Sequence, residues 1–305
     1  MRRGSIFLAA LSASLCTGVA GATSQSFIVG RSTVTALAAD GDQAAFAAAR
    51  TASDCDRAFI WQRLPRRVVQ LGKKQRCSIT STGRGVAGIA VTGGRALWVT
   101  YAGGNDRDWQ LWTASITRTA PRQVQFVTRS VDEPQPIVVG SAGGGLLPYA
   151  VDATVTTLRA NGTTAFSWTA ALPVVALAAA DGRVAVAEEG GRVTVLDTRG
   201  KIMSVDLYAS DVSAVAFAGK SLLVQRGVTL ELRRGAATHE YTIAPDAHLD
   251  DAVGKWAVWS GDGLVHVLQL LDGTQAAAYK GSAGALAGDR IYVANGRTIM
   301  LRTMQ

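Results

Sequence analysis

The sequence predicts an all-β protein, a seven-bladed β-propeller, on three observations. A strand-turn-strand unit recurs seven times between Val34 and Leu301, and each unit turns at Gly or at Asp beside Gly. The apolar runs are short and bounded by Gly, Asn and Asp, which is typical of strands. The first run of each unit is rich in Ala, Gly and Val, and small side chains suit innermost strands because neighbouring blades converge there. Six or eight blades are the alternatives, since the first and third units have the weakest phasing.

Each unit is expected to place an inner strand, strand A, along a central channel, with strands B, C and D following outward. Strand A of the seven blades is predicted at Val34–Ala39, Val86–Val91, Ile137–Gly140, Val174–Ala180, Ser213–Ala218, Leu249–Val253 and Gly284–Ala287. The period is longer in the first two units, and we expect the extra length to lie in loops. The 305 residues suffice for a large core in one repeat domain.

The N-terminus has the pattern of a secretory signal peptide. Arg2 and Arg3 precede an apolar run, and Ala20-Gly21-Ala22 forms an A-x-A cleavage site. We therefore expect residues 1–22 to be a signal peptide and residues 23–305 to form a single β-propeller domain. The predicted location is secreted, periplasmic or at the cell surface, with no membrane span after cleavage.

An apolar segment just after the predicted cleavage site suggests how the ring closes. The seventh unit ends after its third strand, while Phe27-Ile28-Val29 form a spare apolar strand near the N-terminus. We expect this strand to complete the last blade, because closure removes the exposed edges of an open array.

Two cysteines, Cys55 and Cys77, remain after the predicted cleavage. An even number of cysteines in an exported protein indicates a disulfide. The two residues flank a predicted hairpin that turns at Leu64-Pro65, so a bridge between them is geometrically plausible.

One repeat carries a family likeness. The run Gly191-Arg192-Val193-Thr194-Val195-Leu196-Asp197-Thr198-Arg199-Gly200-Lys201 resembles the G-x-V-x-V-L-D-x-x-G-K repeat of quinoprotein-like (PQQ-like repeat) and WD40-like bacterial propellers. This resemblance implies a propeller fold and a binding or scaffolding role, although some such proteins are dehydrogenases or lactonases. The tryptophan signature of the quinoprotein dehydrogenases is not evident, so no quinone cofactor is expected.

Acidic residues in three predicted loops form the first candidate site. Asp54 and Asp56 follow strand B of blade one, Asn105, Asp106 and Asp108 follow strand B of blade two, and Asp132 and Glu133 precede blade three. B–C and D–A loops emerge on the same face of a propeller, so these residues are expected to gather there. Solvated loop ends, calcium binding and a protein or glycan contact are the alternatives. The sequence predicts no cofactor, and calcium is the one alternative.

Two further features complete the candidate residues. His248, with Asp250 and Asp251, is predicted where a D–A loop enters blade six, on the face where propellers commonly bind ligands. Trp109, at the edge of an acidic loop, is the aromatic residue expected to be exposed for binding. No zinc spacing, nucleophile elbow or phosphate-binding loop is present in the sequence.

These observations favour an exported, non-catalytic propeller that binds a protein or cell-envelope ligand through its loop-bearing face. The alternative is a propeller hydrolase or lyase with a metal-assisted site at the channel mouth. The sequence predicts no catalytic residues, no nucleic-acid partner and a monomer.

Overall fold

The computed structural model describes residues 25–28, 33–49, 55–72, 83–235 and 237–304. Within these residues the chain is all β, without helix, and forms seven four-stranded antiparallel sheets. Each sheet corresponds to one predicted blade. The predicted signal peptide lies outside the described residues.

The strands of blades one to four follow the chain from the channel outward. They are β2 (Ala36–Asp40), β3 (Gln43–Ala48), β4 (Arg57–Gln62), β5 (Arg67–Gln70), β6 (Arg84–Thr92), β7 (Arg95–Gly103), β8 (Asp106–Ser115), β9 (Arg122–Ser130), β10 (Ile137–Val139), β11 (Leu146–Val151), β12 (Thr154–Arg159), β13 (Thr164–Thr169), β14 (Val174–Ala180), β15 (Arg183–Glu188), β16 (Arg192–Asp197) and β17 (Ile202–Leu207).

Blades five to seven continue the same order, and a strand from the N-terminal part of the chain joins blade seven. These strands are β18 (Ala214–Ala218), β19 (Ser221–Arg226), β20 (Thr229–Arg234), β21 (Ala237–Thr242), β22 (His248–Val253), β23 (Trp256–Gly261), β24 (Leu264–Gln269), β25 (Thr274–Lys280), β26 (Ala283–Ala287), β27 (Arg290–Asn295), β28 (Thr298–Thr303) and β1 (Gln25–Ile28).

The seven inner strands form a ring. Each of them contacts the inner strand of the blade before it and of the blade after it, and β26 of blade seven contacts β2 of blade one. The buried apolar side chains of the described residues form seven clusters, each between two neighbouring blades. The core therefore lies between blades, as burial of both faces of each sheet requires.

Strand β1 pairs with β28 in antiparallel register, with Gln25 opposite Leu301 and Ile28 opposite Thr298. The order of that sheet is β1-β28-β27-β26. The outermost strand of blade seven is thus contributed by residues distant in sequence from the other three.

Blade two shows where one expectation about the repeat was wrong. Its four strands are nine, nine, ten and nine residues long, against four to six in blade one. The extra length of this unit therefore lies in its strands, because the apolar alternation of β7 continues through Tyr101 and pairs with β8 as far as Arg107.

No helix among the described residues is long and apolar enough to span a membrane.

Candidate binding site at the channel mouth

One face of the ring carries the B–C and D–A connections, and the opposite face carries the A–B and C–D turns. We call the first the loop-bearing face. A cavity of about 500 Å³, the mouth cavity, lies there where the channel opens between blades two, three and four. Its lining combines apolar starts of inner strands with polar residues from strand ends and loops, and the latter include Arg129, Gln135, Asp152, Glu189 and His248.

The D–A connection before blade three, residues 131–136, is held at both of its ends. The Val131 backbone N–H donates to the Asn105 carbonyl at 2.7 Å. Arg129 bridges Glu133 at 3.3 Å and Asp152 at 2.7 Å, so the loop is tied to blade three. Predicted loop residue Glu133 therefore has a positioning contact, while Asp132 is exposed.

The next D–A connection, before blade four, is held by a buried acid. Glu188 is fully buried at the end of β15, and its Oε2 accepts the backbone N–H groups of Ala171 (2.9 Å) and Leu172 (3.1 Å). Charge-assisted bonds of this kind are stronger than neutral ones. They hold the loop in a conformation that leaves Leu172 47% exposed, directly before Pro173 of the mouth cavity.

His248 and the two aspartates that follow it lie deeper along the channel. His248 begins β22 rather than lying in a loop, and it lines both the mouth cavity and the channel cavity of about 220 Å³ beneath it. Asp250 and Asp251 line that channel cavity. The register of β22 against β23 shifts between Leu249 and Asp251, and this bulge interrupts the usual alternation of side chains.

The two aspartates, here called the carboxylate pair, join blade six to blade seven. Asp250 accepts the Ser260 hydroxyl at 2.9 Å and the Gly284 N–H at 2.8 Å. Asp251 accepts the N–H groups of Ala252 and Leu286, both at 2.8 Å. All four carboxylate oxygens are therefore engaged, and two of the bonds satisfy N–H groups on the inner edge of β26.

Burial in the channel changes the pKa values of the two aspartates and of His248. Each aspartate exposes some surface to the channel, but channel walls surround it, and desolvation raises the pKa of both Asp250 and Asp251 to about 7. The charge of Asp251 adds to the increase in the pKa of Asp250. Desolvation also lowers the pKa of His248. The channel therefore contains groups that change charge near neutral pH.

The structure brings two of the predicted acidic residues together. Asp56 and Asp108 line one cleft of about 120 Å³ between blades one and two, with Arg84 and Tyr101. Asp56 accepts the Thr35 hydroxyl at 2.9 Å, and Asp108 accepts the Thr128 hydroxyl at 2.8 Å. Asn105 is exposed at the tip of the β7–β8 hairpin, and Asp54 lies outside the described residues.

Two expectations about this region were wrong. Asp106 and Asp108 lie within strand β8 and not in a loop, because the long pairing of β7 with β8 leaves a short hairpin turn. Trp109 is only 6% exposed; its ring contacts Tyr101 at 5.2 Å between centroids and packs in the core cluster between blades two and three. It is a core residue because its position in β8 directs it inward.

Within the described residues, no group of three or more His, Cys, Asp or Glu side chains is placed to share a metal ion. Calcium binding stays a prediction, since Asp54 lies outside the described part of the chain. The Cys55–Cys77 bridge also stays a prediction, because Cys77 lies outside it too.

Sequence reasoning missed a set of arginines that join neighbouring blades. Arg95 donates to the carbonyl oxygen of Ala160 at 2.7 Å, and Arg183 to that of Gly219 at 2.7 Å. Arg290 pairs with Asp42. Each arginine directly follows an A–B turn and contacts a turn of the next blade. The signal was present in the sequence as a basic residue after the turn in three of the seven units.

Neither the protein-family models nor the curated proteins compared with this sequence include a match. Solved structures do show similarity.

A chain of the Mitotic Checkpoint Complex is 11% identical, with a TM-score of 0.61, and the alignment covers 100% of this chain and 99% of that chain. Sqt1 from Saccharomyces cerevisiae is 12% identical, with a TM-score of 0.52 and coverage of 92% and 98%. The computationally designed protein Ika8 is 14% identical, with a TM-score of 0.50 and coverage of 91% and 98%. These likenesses support a WD40-like β-propeller fold.

Proposed function

We propose that this chain is a non-catalytic scaffold that binds a protein partner through the mouth cavity and the two loops beside it. The observation that carries the proposal is Leu172, a leucine that the buried Glu188 holds in an exposed position directly before Pro173 of the mouth cavity. A partner that covered this side chain would remove apolar surface from water, which favours binding.

The chemistry of the rim suits a protein partner. Val131 is exposed on the neighbouring loop, and Pro134 and Pro173 line the cavity together with polar groups such as Gln135 and Glu189. Protein interfaces likewise combine apolar contact surface with polar groups. Loops fixed before binding lose less conformational entropy when the partner docks.

The WD40-like fold supports the same proposal, since one similar structure is itself a component of a protein complex. The proposed partner is a protein, with a cell-envelope ligand as the alternative, and the proposed location is outside the cytoplasm, on the basis of the N-terminal signal pattern.

Photo-crosslinking tests the proposal in the organism that makes the protein. A photoreactive amino acid is placed at position 135, where Gln135 lines the mouth cavity. The control carries it at position 126, where Phe126 lies on the outer strand β9. We expect a discrete protein adduct from position 135 and none from position 126. Adducts from neither position, or equal adducts from both, would contradict the proposal.

The crosslinked partner then permits a quantitative test with a matched control. Leu172→Ala removes the exposed leucine of the loop-bearing face, and Leu271→Ala removes a leucine 63% exposed on the opposite face. We expect the first substitution to weaken partner binding about tenfold, which is the scale of an interface hot spot, and the second to change it less than about twofold. Calorimetric titration measures both, and equal effects of the two would refute a role for the mouth.

A metal-assisted hydrolase or lyase is the alternative, favoured by the sequence of His248, Asp250 and Asp251 along one channel-lining strand. The four oxygens of the carboxylate pair already accept hydrogen bonds, which argues for a structural role of the pair. Elemental analysis of purified protein after exposure to calcium, zinc and manganese separates the two functions. Stoichiometric bound metal that disappears in Asp250→Asn would favour the enzyme.

We also propose that the pairing of β1 with β28 closes the ring. Without β1 the edge of β28 presents unpaired backbone groups, and such an edge promotes association with other chains.

A further inference from the structure

The face opposite the mouth carries a cluster of arginines around one turn. The turn joins β12 to β13 in blade three. Arg95 donates to the carbonyl oxygens of Ala160 (2.7 Å) and Asn161 (3.2 Å) within it. Two arginines donate to neighbouring carbonyl oxygens, Arg122 to Gly162 (3.2 Å) and Arg159 to Thr164 (2.8 Å). With Arg118, these residues form what we call the basic sector.

The arginines of the basic sector are not paired with acids among the described residues. None of its four arginines forms an ion pair with a described carboxylate. Burial, followed by the charges of Arg122 and Arg118, lowers the pKa of the Arg95 guanidinium. The like charges are thus close enough to disfavour one another.

Two acids on this face have partners outside the basic sector. Asp40, at the end of β2, accepts the Gly93 N–H at 2.7 Å. Asp42 pairs with Arg63 at 2.7 Å, and that hydrogen bond holds the pKa of its carboxyl below the ordinary value. Neither carboxylate forms an ion pair with an arginine of the basic sector.

The sector is exposed and extends along the face. Arg118, Arg122 and Arg159 are exposed, and no described residue forms a hydrogen bond or ion pair with the Arg118 guanidinium. The C–D turns of blades one, two and three contain six arginines and no Asp or Glu; the turns with their flanking residues are Gln62–Arg67, Ser115–Arg122 and Arg159–Thr164.

We propose that the basic sector binds an acidic segment of a protein partner. Guanidinium groups pair with carboxylates through two parallel N–H···O bonds, and they are more weakly hydrated than ammonium groups, so they bind anions readily. Carbonyl oxygens of the turn hold Arg95, Arg122 and Arg159 in place, which reduces the entropy lost when an acid docks. A sector centred on one turn fits a short run of carboxylates better than the long phosphate track of a duplex.

Fluorescence anisotropy of the full chain tests this proposal. The probe is a labelled oligoglutamate peptide, with a heparin oligosaccharide and single-stranded DNA of similar length as competing arms. The test variant is Arg118→Gln with Arg122→Gln. The matched control is Arg199→Gln with Lys201→Gln, which removes two charges from the C–D turn of blade four, where Asp197 binds the backbone N–H groups of the same two residues and not their side chains.

We expect the peptide to bind with an affinity that falls as salt rises. The test variant should weaken this binding about tenfold or more, and the control should change it less than about twofold. Both variants should unfold at the wild-type temperature. Leu172→Ala, on the opposite face, should leave peptide binding unchanged. The proposal for the basic sector and the proposal for the mouth cavity can therefore be refuted separately.

Three results would overturn the proposal. The first is equal weakening in the test variant and the control, since binding would then follow net charge alone. The second is no peptide binding at any salt concentration. The third is tighter binding of heparin or DNA than of the peptide, which would assign the sector to a polysaccharide or to nucleic acid.

Discussion

Single carboxylates in the channel link the stability of the ring to pH. The pKa of Asp251 in the folded protein, about 7, lies above the ordinary value of 3.8 that applies when the chain is unfolded. Between these values the folded state binds more protons than the unfolded state, so the free energy of unfolding falls as pH rises through this window and is level above about 7.

Asp251→Asn should reduce this dependence but not abolish it, because an amide does not titrate while Asp250 keeps a raised pKa. We expect the loss of stability between pH 5 and pH 8 to be smaller in the variant than in the wild type by at least about 1 kcal/mol. Asp262→Asn is the control, since Asp262 is exposed in a turn with φ of 53°, a conformation that Asn tolerates. Urea denaturation at the two pH values measures the difference, and identical losses in the three proteins would contradict the assigned role of Asp251.

The contacts and burial of single side chains were the features that the sequence predicted least well. His248, Asp250 and Asp251 are expected from sequence at a D–A loop, but all three lie in β22, and their contacts depend on a bulge that no local pattern reveals. Trp109 was misplaced because an aromatic beside an acidic run appears exposed in sequence, while the pairing of β8 turns it inward. Glu188 was missed because its burial depends on a loop from the preceding blade.

At the scale of the element, inner strands need small residues at particular points. A methyl group at Gly140, which follows β10, would overlap the Cβ and the carbonyl oxygen of Leu177 in the next blade. At Gly88 in β6, a methyl group would lie 3.6 Å from Val139 and 3.8 Å from Val99, at ordinary contact distance. Both glycines line the channel, but only Gly140 lies too close to the next blade to accept a larger side chain.

Gly140→Ala should destabilise the protein by about 1–3 kcal/mol, the usual cost of overpacking, since backbone atoms of Leu177 would have to move. Gly88→Ala should stay within about 0.5 kcal/mol of the wild type. Denaturant unfolding of both variants provides the comparison. Equal effects would show that the spacing between blades three and four is looser than described.

Removal of β1 tests the proposed ring closure. Deletion of residues 23–28 after the predicted cleavage site should lower the unfolding temperature and produce oligomers, because β28 becomes a free edge. Replacement of Ser26 by Pro should reproduce part of the effect, since proline cannot donate to a strand ladder. Light scattering and thermal unfolding follow both variants, and a stable monomer after deletion would refute the proposed closure.

Secondary structure was the part most open to sequence analysis. The predicted inner strand Val174–Ala180 coincides with β14, and the predicted inner strand Ser213–Ala218 exceeds β18 by one residue. Glycine and aspartate lie in the turns between strands because these turns require positive φ, as at Gly162 with φ of 88°. The length of blade two could not be predicted, because strand extension depends on cross-strand pairing.

The whole molecule is a ring whose seven interfaces are apolar clusters between blades, with arginines that join successive turns at its rim. Such a frame holds loops rigidly at both faces. The loop-bearing face presents an apolar rim around a cavity, and the opposite face presents the basic sector. The two surfaces differ in chemistry and lie on opposite faces, so the two proposed partners would not compete for one site.

Hydrogen–deuterium exchange of the chain with its crosslinked partner tests whether the partner binds at the mouth cavity. Binding through the mouth should slow exchange in residues 131–136 and 170–173 and at the start of β22, and should leave the outer strands β9 and β17 unchanged. Slower exchange confined to outer strands, with both loops unaffected, would contradict the account.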